Sequence, residues 1–325
     1  MSSRHQLLSH TGTLVLGVCA CLAASGASAG QSPTVFRSGV DLVNVGVTVV
    51  DRKGQLVTDL RREDFLVVEE GTRQTIDYFS NGLQVVLPVA GASNPGNLHV
   101  GLLFDTSGSM SEDLSFSRSA AIKFLNLLPE AEDMTLVDFD TEVRVARFSQ
   151  RDFPRLVERL RNRKPEGLTA LYDALGVYLD GADLDNGRKV LVLYTDGGDT
   201  GSRLGLNEIV NLLKASDVTV YAIGFLEHQS SSVRTSQRMK LQQITEVTGG
   251  QAFFPTSKEQ LDEMYAKILD EIHAQYTIGY QSTNPKADGH WRTVEVRLNR
   301  PDLKGARVRA RKGYFAPLLG GASQP

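Results

Sequence analysis

LHVGLLFDTSGSM, residues 98–110, is an apolar strand that runs straight into a loop of oxygen donors. Asp105, Ser107 and Ser109 put a carboxylate and two hydroxyls on one tight turn, with no sulfur or imidazole among them. That is ligand chemistry for a hard divalent cation. Two later stretches supply further oxygens: GLTAL at 167–171, with Thr169, and VLVLYTDGG at 190–198, with Asp196.

Around this stretch, residues 98 to about 275 alternate between strand and helix patterns. Strands are predicted at 98–105, 134–139, 143–148, 189–195, 218–225 and 251–254. Helices are predicted at 112–128, 152–162, 169–180, 205–215, 236–247 and 257–274. The alternation implies an α/β fold, a doubly wound, mostly parallel sheet with helices on both faces. The near-continuous apolar run at 189–195 fits a strand covered on both sides. In such a sheet, ligands sit outside the carboxyl ends of the strands. Asp105 and Asp196 each end a strand and Thr169 precedes a helix, so three distant loops are expected at one sheet edge.

An Asp, two serines at +2 and +4, a distant Thr and an Asp after a hydrophobic strand together resemble the metal-ion-dependent adhesion site of von Willebrand factor type A domains. All five positions are filled here, and the resemblance covers about residues 96–275. It implies direct coordination by Ser107 and Ser109, coordination by Thr169 directly or through water, and contact by Asp105 and Asp196 largely through bridging waters. An ion held without a direct carboxylate keeps most of its charge and an open octahedral position, a seat for a Glu or Asp of a partner protein. Mg²⁺ is the expected occupant, with Mn²⁺ or Ca²⁺ as alternatives. Taken singly, each element has a plainer reading: Asp105 to Ser109 as a helix cap and turn, Thr169 as an N-cap, Asp196-Gly as a turn. The flanks, with VVEEG at 67–71 and GYF at 313–315, look like a bacterial secreted subgroup of type A domain proteins.

At 325 residues the chain can hold a full α/β domain and a smaller partner. The start reads as a secretory signal over residues 1–29: Arg4, an apolar run from Leu14 to Ala23, and Ala27-Ser-Ala29 as a cleavage site. Both cysteines, Cys19 and Cys21, lie inside it, so disulfides contribute nothing to the mature fold. Val18 to Cys21 is only a loose lipobox, and cleavage near Gly30 is the preferred reading. The formal charge of −3 becomes −4 once this segment and its one arginine are removed, which gives no reason to expect nucleic acid as a partner. No later run reaches the eighteen or so apolar residues of a membrane span.

Before the α/β stretch, residues 30–90 read as a small β unit. Val35 to Val50 alternates in places and further strands are expected at 64–69 and 75–78. AGASNPGN at 90–97 reads as a linker. Residues 276–325 return to β character at 276–281, 291–298 and 306–311. Neither flank is large enough to stand alone, so the two are expected to pack together with the α/β domain inserted between them.

Other candidates are weaker. Gly26-Ala-Ser28-Ala-Gly30 has the form of a nucleophile elbow but falls on the cleavage site, and His99, His228, His273 and His290 form no close pair. Asp199 reads as a turn residue before a sixth oxygen donor, and Glu227 and His228 as rim residues. Residues 230–236 read as a polar loop, and the basic stretch 144–164 as a solvated face open to an anionic partner. The sequence therefore points to a secreted or periplasmic, non-enzymatic module that captures an acidic residue through a bound cation. The alternative is an envelope component whose metal serves stability alone. A hydrolase would need a general base beyond Asp105 and Asp196.

Overall fold

The computed structural model describes residues 42–82, 97–128, 131–182 and 187–318. The stretch read as a signal, with its cysteines, the elbow-like motif and most of the 90–97 stretch read as a linker lie outside the described residues.

Four strands come first: β1 (Val43–Val50), β2 (Phe65–Glu69), β3 (Thr72–Gln74) and β4 (Tyr78–Asn81). The strand expected at 75–78 is instead two short strands on either side of that stretch. Glu70 and Gly71 both take positive φ, 48° and 81°, and this two-residue turn folds β3 tightly back on β2.

The central domain follows as β5 (Leu98–Asp105), α1 (Leu114–Asn126), β6 (Ala131–Phe139), β7 (Val143–Ser149), α2 (Phe153–Asn162), α3 (Leu171–Ala182), β8 (Arg188–Thr195), α4 (Leu206–Ala215), β9 (Thr219–Gly224), α5 (Ser231–Glu246), β10 (Ala252–Phe253) and α6 (Lys258–Ala274). Its sheet runs β10-β9-β8-β5-β6-β7, parallel except for the final β6–β7 hairpin. β8 and β9 are buried along their whole length, as their apolar runs require. One face packs on α1, α2 and α6 through Leu102, Phe104, Phe124, Leu160 and Ile268. The other packs on α3, α4 and α5 through Leu103, Leu175, Leu191, Leu213 and Leu241. Gly101 admits the Tyr178 ring of α3, which lies 2.2 Å from where a Cβ would stand. The polar stretch 230–236 is not a loop, because α5 begins at Ser231.

The chain ends in β11 (Tyr276–Tyr280), β12 (Trp291–Leu298), β13 (Arg307–Ala310) and β14 (Gly313–Phe315). These interleave with the first strands in two four-stranded sheets, β13-β1-β11-β4 and β14-β12-β2-β3. The alternating valines of β1 meet Phe65, Val67, Ile278 and Val294 in a core shared by both sheets. Glu69 of β2, 2% exposed, crosses between the sheets. Its carboxylate accepts from Tyr280 (2.8 Å), Tyr314 (3.0 Å) and Ser282 (2.5 Å) and lies 3.5 Å from buried Arg292. One residue, Gln275, separates α6 from β11, and Arg188 donates to Ile272 O (2.6 Å) and Gln275 Oε1 (3.0 Å), fastening this junction to the foot of β8.

Two outcomes follow from this pairing. A fragment of residues 31–90 carries β1, β2 and β4 without their partners, so it should show no cooperative unfolding transition. Glu69→Ala leaves Tyr280, Tyr314 and Ser282 without their shared acceptor and buried Arg292 with the more distant Asp288 (3.9 Å) as its acid, and should cost about 3–5 kcal/mol in urea unfolding, while Glu295→Ala, in an exposed pair with Arg297, should cost less than about 1 kcal/mol.

Candidate metal centre

Asp105 is the last residue of β5, and β5 lies between β6 and β8. The chain then turns through Thr106 and Ser107 into a short 3-10 turn, Gly108–Met110, whose buried Met110 pins the loop to the core. The Asp105 carboxylate is fully buried. Oδ1 accepts from the Ser107 N–H (2.9 Å) and Oδ2 from the Thr195 hydroxyl at the end of β8 (2.6 Å). Ser107 Oγ and Ser109 Oγ stand 3.0 Å apart, Ser107 buried and Ser109 exposed.

The other loops are fastened to this one by backbone bonds. Gly108 N–H donates to Gly167 O (3.2 Å) and Glu166 N–H to Thr106 O (3.0 Å), which sets the Thr169 loop against the Asp105 loop. Gly167 makes the turn with φ +72°. Thr169 is buried, and its carbonyl accepts from Thr200 and Gly201 (both 2.9 Å), joining it to the loop after β8. Asp196, first residue of that loop, accepts from Gly198 N–H (3.0 Å) and from Gln229 Nε2 (3.1 Å). The loops bearing Asp105, Ser107, Ser109, Thr169 and Asp196 thus meet at the carboxyl edge of the sheet.

Burial pushes the Asp105 carboxyl up to about 7. The hydrogen bonds from Ser107 and Thr195 oppose the rise, and the negative charge of Asp196 adds to it. Among the described residues, no group of three or more His, Cys, Asp or Glu side chains is placed to hold a metal. The donors gathered here are of another kind, three hydroxyls with two carboxylates. Such a set fits Mg²⁺ or a similar hard ion and offers nothing to a softer one.

Several neighbours were not legible beforehand. Thr195 and Gln229 hold the two carboxylates, and only the adjacency of Thr195 to Asp196 hinted at either. Asp113 is the third acid of the edge: burial raises its carboxyl, His228 opposes the rise, and Asp196, Glu112 and Glu227 add to it. His228 lies on the rim, with Nδ1 2.7 Å from Glu112 and Nε2 3.5 Å from Asp113. Asp199 shapes its turn, accepting from Ser202 Oγ (2.6 Å) and the Tyr172 N–H of α3 (3.3 Å). The basic stretch 144–164 is not simply a solvated face. Arg144 (2.8 Å), Arg159 (2.7 Å) and Arg163 (2.7 Å) turn inward onto the buried Asp138 carboxylate of β6.

A family model for the von Willebrand factor type A domain matches residues 99–267, more than half of the chain, and the protein belongs to that family. No curated protein matches it. Among solved structures, it is similar to the PilB minor pilin from Streptococcus sanguinis at 17% identity and a TM-score of 0.44, covering 57% of this chain and 63% of that one. It is similar to the pilus adhesin SpaC from Lactobacillus rhamnosus GG in its open conformation, at 13% identity and a TM-score of 0.46, covering 81% of this chain and 50% of that one. It is also similar to a von Willebrand factor type A protein from Catenulispora acidiphila, at 12% identity and a TM-score of 0.44, covering 87% and 75%. The chain thus spans less than two thirds of the pilin and of the adhesin.

The raised Asp105 carboxyl has a measurable signature. Between pH 4 and about 7 the folded protein holds a proton there that the unfolded chain has released, so metal-free stability falls as pH rises across that window. The loss is at most about 4 kcal/mol. In EDTA, wild type should therefore melt lower at pH 8 than at pH 5, and Asp105→Asn should remove that slope and melt above wild type at pH 8.

Proposed function

We propose that this protein is a secreted or periplasmic binding module that captures a Glu or Asp side chain of a partner protein through a divalent cation. Asp105, Ser107, Ser109, Thr169 and Asp196 would hold the ion, with Mg²⁺ favoured and Mn²⁺ or Ca²⁺ accepted by the same donors. The supporting observation is a fully buried Asp105 carboxylate next to a second acid, Asp196, with a serine hydroxyl pair beside it. A bound cation supplies the missing positive charge and a coordination position for an incoming carboxylate.

The protein's own residues prepare that seat. Ser107 N–H and Thr195 Oγ1 fix both oxygens of Asp105, and Gly198 N–H and Gln229 fix Asp196, so the acids are oriented before any ion arrives. Both are committed to these contacts, which leaves neither placed as a general base and supports a non-enzymatic reading. Export is supported by the leader-like segment. Among the described residues, no helix is long and apolar enough to cross a membrane. Membership of the type A domain family supports adhesion or assembly as the wider role.

Calorimetric titration with Mg²⁺ and capture on an immobilised glutamate-containing peptide test the reading together. Wild type should bind the ion and release protons below pH 7, and EDTA should abolish capture. Ser107→Ala and Asp105→Ala should each weaken ion binding at least about tenfold, some 1.4 kcal/mol. Capture that persists unchanged in excess EDTA overturns the mechanism. A Mg²⁺-dependent rise in melting temperature with no response to the peptide selects the envelope-stability reading instead.

A further inference from the structure

β7 closes the central sheet on one side. β6 pairs with it, and among the described residues no strand pairs with its other edge. The phase of the hairpin is set by two bonds: Asp140 N–H donates to Glu142 O, and Phe139 O accepts from Thr106 on the β5 side. In an antiparallel ladder, residues alternate between bonding the partner and facing away. The register Phe139↔Val143 therefore turns the amides of Val143, Val145, Arg147 and Ser149 outward. Val145 is 48% exposed.

A groove flanks each face of this edge. One, about 440 Å³, lies toward α2 and is lined by Phe148 and by three arginines, Arg147, Arg155 and Arg159, against two acids, Asp152 and Glu158. The other, about 860 Å³, starts at Val143 and follows α3 and α4 past the exposed Val177 and Leu212. Residues 143–164 hold eight Arg or Lys against two acids, in a chain whose net charge is −3. Three of those arginines are turned onto Asp138, but Arg147, Arg151, Arg155, Arg161 and Lys164 are exposed.

We propose that β7 is a docking edge for an extended acidic segment of a partner protein, which adds to the central sheet as a seventh strand. Main-chain bonds to the outward amides supply the pairing, and the period of two sends alternate side chains into the basic and the apolar groove. Self-pairing of two β7 strands would oppose arginines, so the charge favours an acidic partner over a second copy of this chain. The β6–β7 hairpin adjoins the metal loops through Leu168 N–H to Thr141 Oγ1 (2.9 Å) and Ala170 N–H to Asp140 O (2.9 Å). A strand added along β7 thus runs toward the edge that carries Asp105 and Asp196. The docking itself rests on β7 and not on the metal reading.

The probe is a blocked eight-residue peptide alternating Glu and Val, with a Lys and Val peptide as control. Binding to the full chain is read by fluorescence polarisation, and amide exchange by mass spectrometry, in EDTA and in Mg²⁺. The acidic peptide should bind in EDTA, slow exchange over residues 143–149, and bind at least tenfold more tightly than the basic one. Val145→Pro removes an outward amide while sparing the ladder to β6, so it should lose at least tenfold in binding with little change in melting temperature. If that variant fails to fold, the double variant Arg147→Glu/Arg155→Glu should show the same loss. Equal binding of both peptides, unchanged binding by the variant, protection in EDTA that spares residues 143–149, or β7 amides already protected before peptide is added each overturn the proposal. Binding that requires Mg²⁺ and leaves β7 exchange unaltered overturns it too, while leaving the metal reading intact. Binding to β7 in EDTA with no response to Mg²⁺ supports the docking and counts against the metal reading.

Discussion

A carboxylate buried at the end of the central strand governs this molecule. Asp105 sits where β5 emerges between β6 and β8, and hydrogen bonds from Ser107 of its own loop and from Thr195 offset part of the loss of water. Burying a charge without a counter-charge is costly, and the group responds by holding a proton to about pH 7. The strands on either side, the loop bonds through Gly108 and Glu166, and the packing of Met110 all position that one group. The proposed chemistry of the edge builds on them, with a cation taking the place of the proton.

The parts of the fold that could be read from the sequence were those whose signal is local. β5 shows as an apolar run stopped by an acid, and β8 as a strand apolar on both faces. The start of α5 was missed because SSVRTS lacks the apolar period that marks a helix, and its first turns are exposed. The β2–β3 turn was missed because Glu70 takes a positive φ that is seldom its own choice. The five residues proposed for the site are each ordinary turn or cap residues, and it was only their order along alternating elements that singled them out. Thr195 and Gln229 could not be picked out, since their roles exist only once the sheet has set β8 and the loop after β9 beside Asp105 and Asp196.

Charge patterning misled in one place for a similar reason. Asp138 lies in the run LVDF and looks like an interruption of a strand, while the arginines after it look like a surface. In the fold they meet: a buried acid anchors Arg144 of β7 with Arg159 and Arg163 of the α2 region, tying the outermost strand to the helix beside it. Removing one such arginine should matter less than removing the acid, which would leave Arg159 and Arg163 without their partner on β6 while Arg144 kept its pairing with Asp140.

The interleaved flanks carry a mechanical consequence. β1 and β13 pair antiparallel, with Val47 opposite Ala310, so tension applied before β1 and after β14 is borne by the flanking sheets. The inserted domain meets them at Gln275, the single residue between α6 and β11, and is pinned to β13 by Arg309, which pairs with Glu271 of α6 (2.5 Å) and donates to Gln251 Oε1 (2.8 Å). Because the N-terminal end of β1 and the C-terminal end of β13 lie at the same end of their ladder, a load that had already freed β14 from β12 would peel it one bond at a time, and the loss of β13 would carry Arg309 away from the domain that bears Asp105.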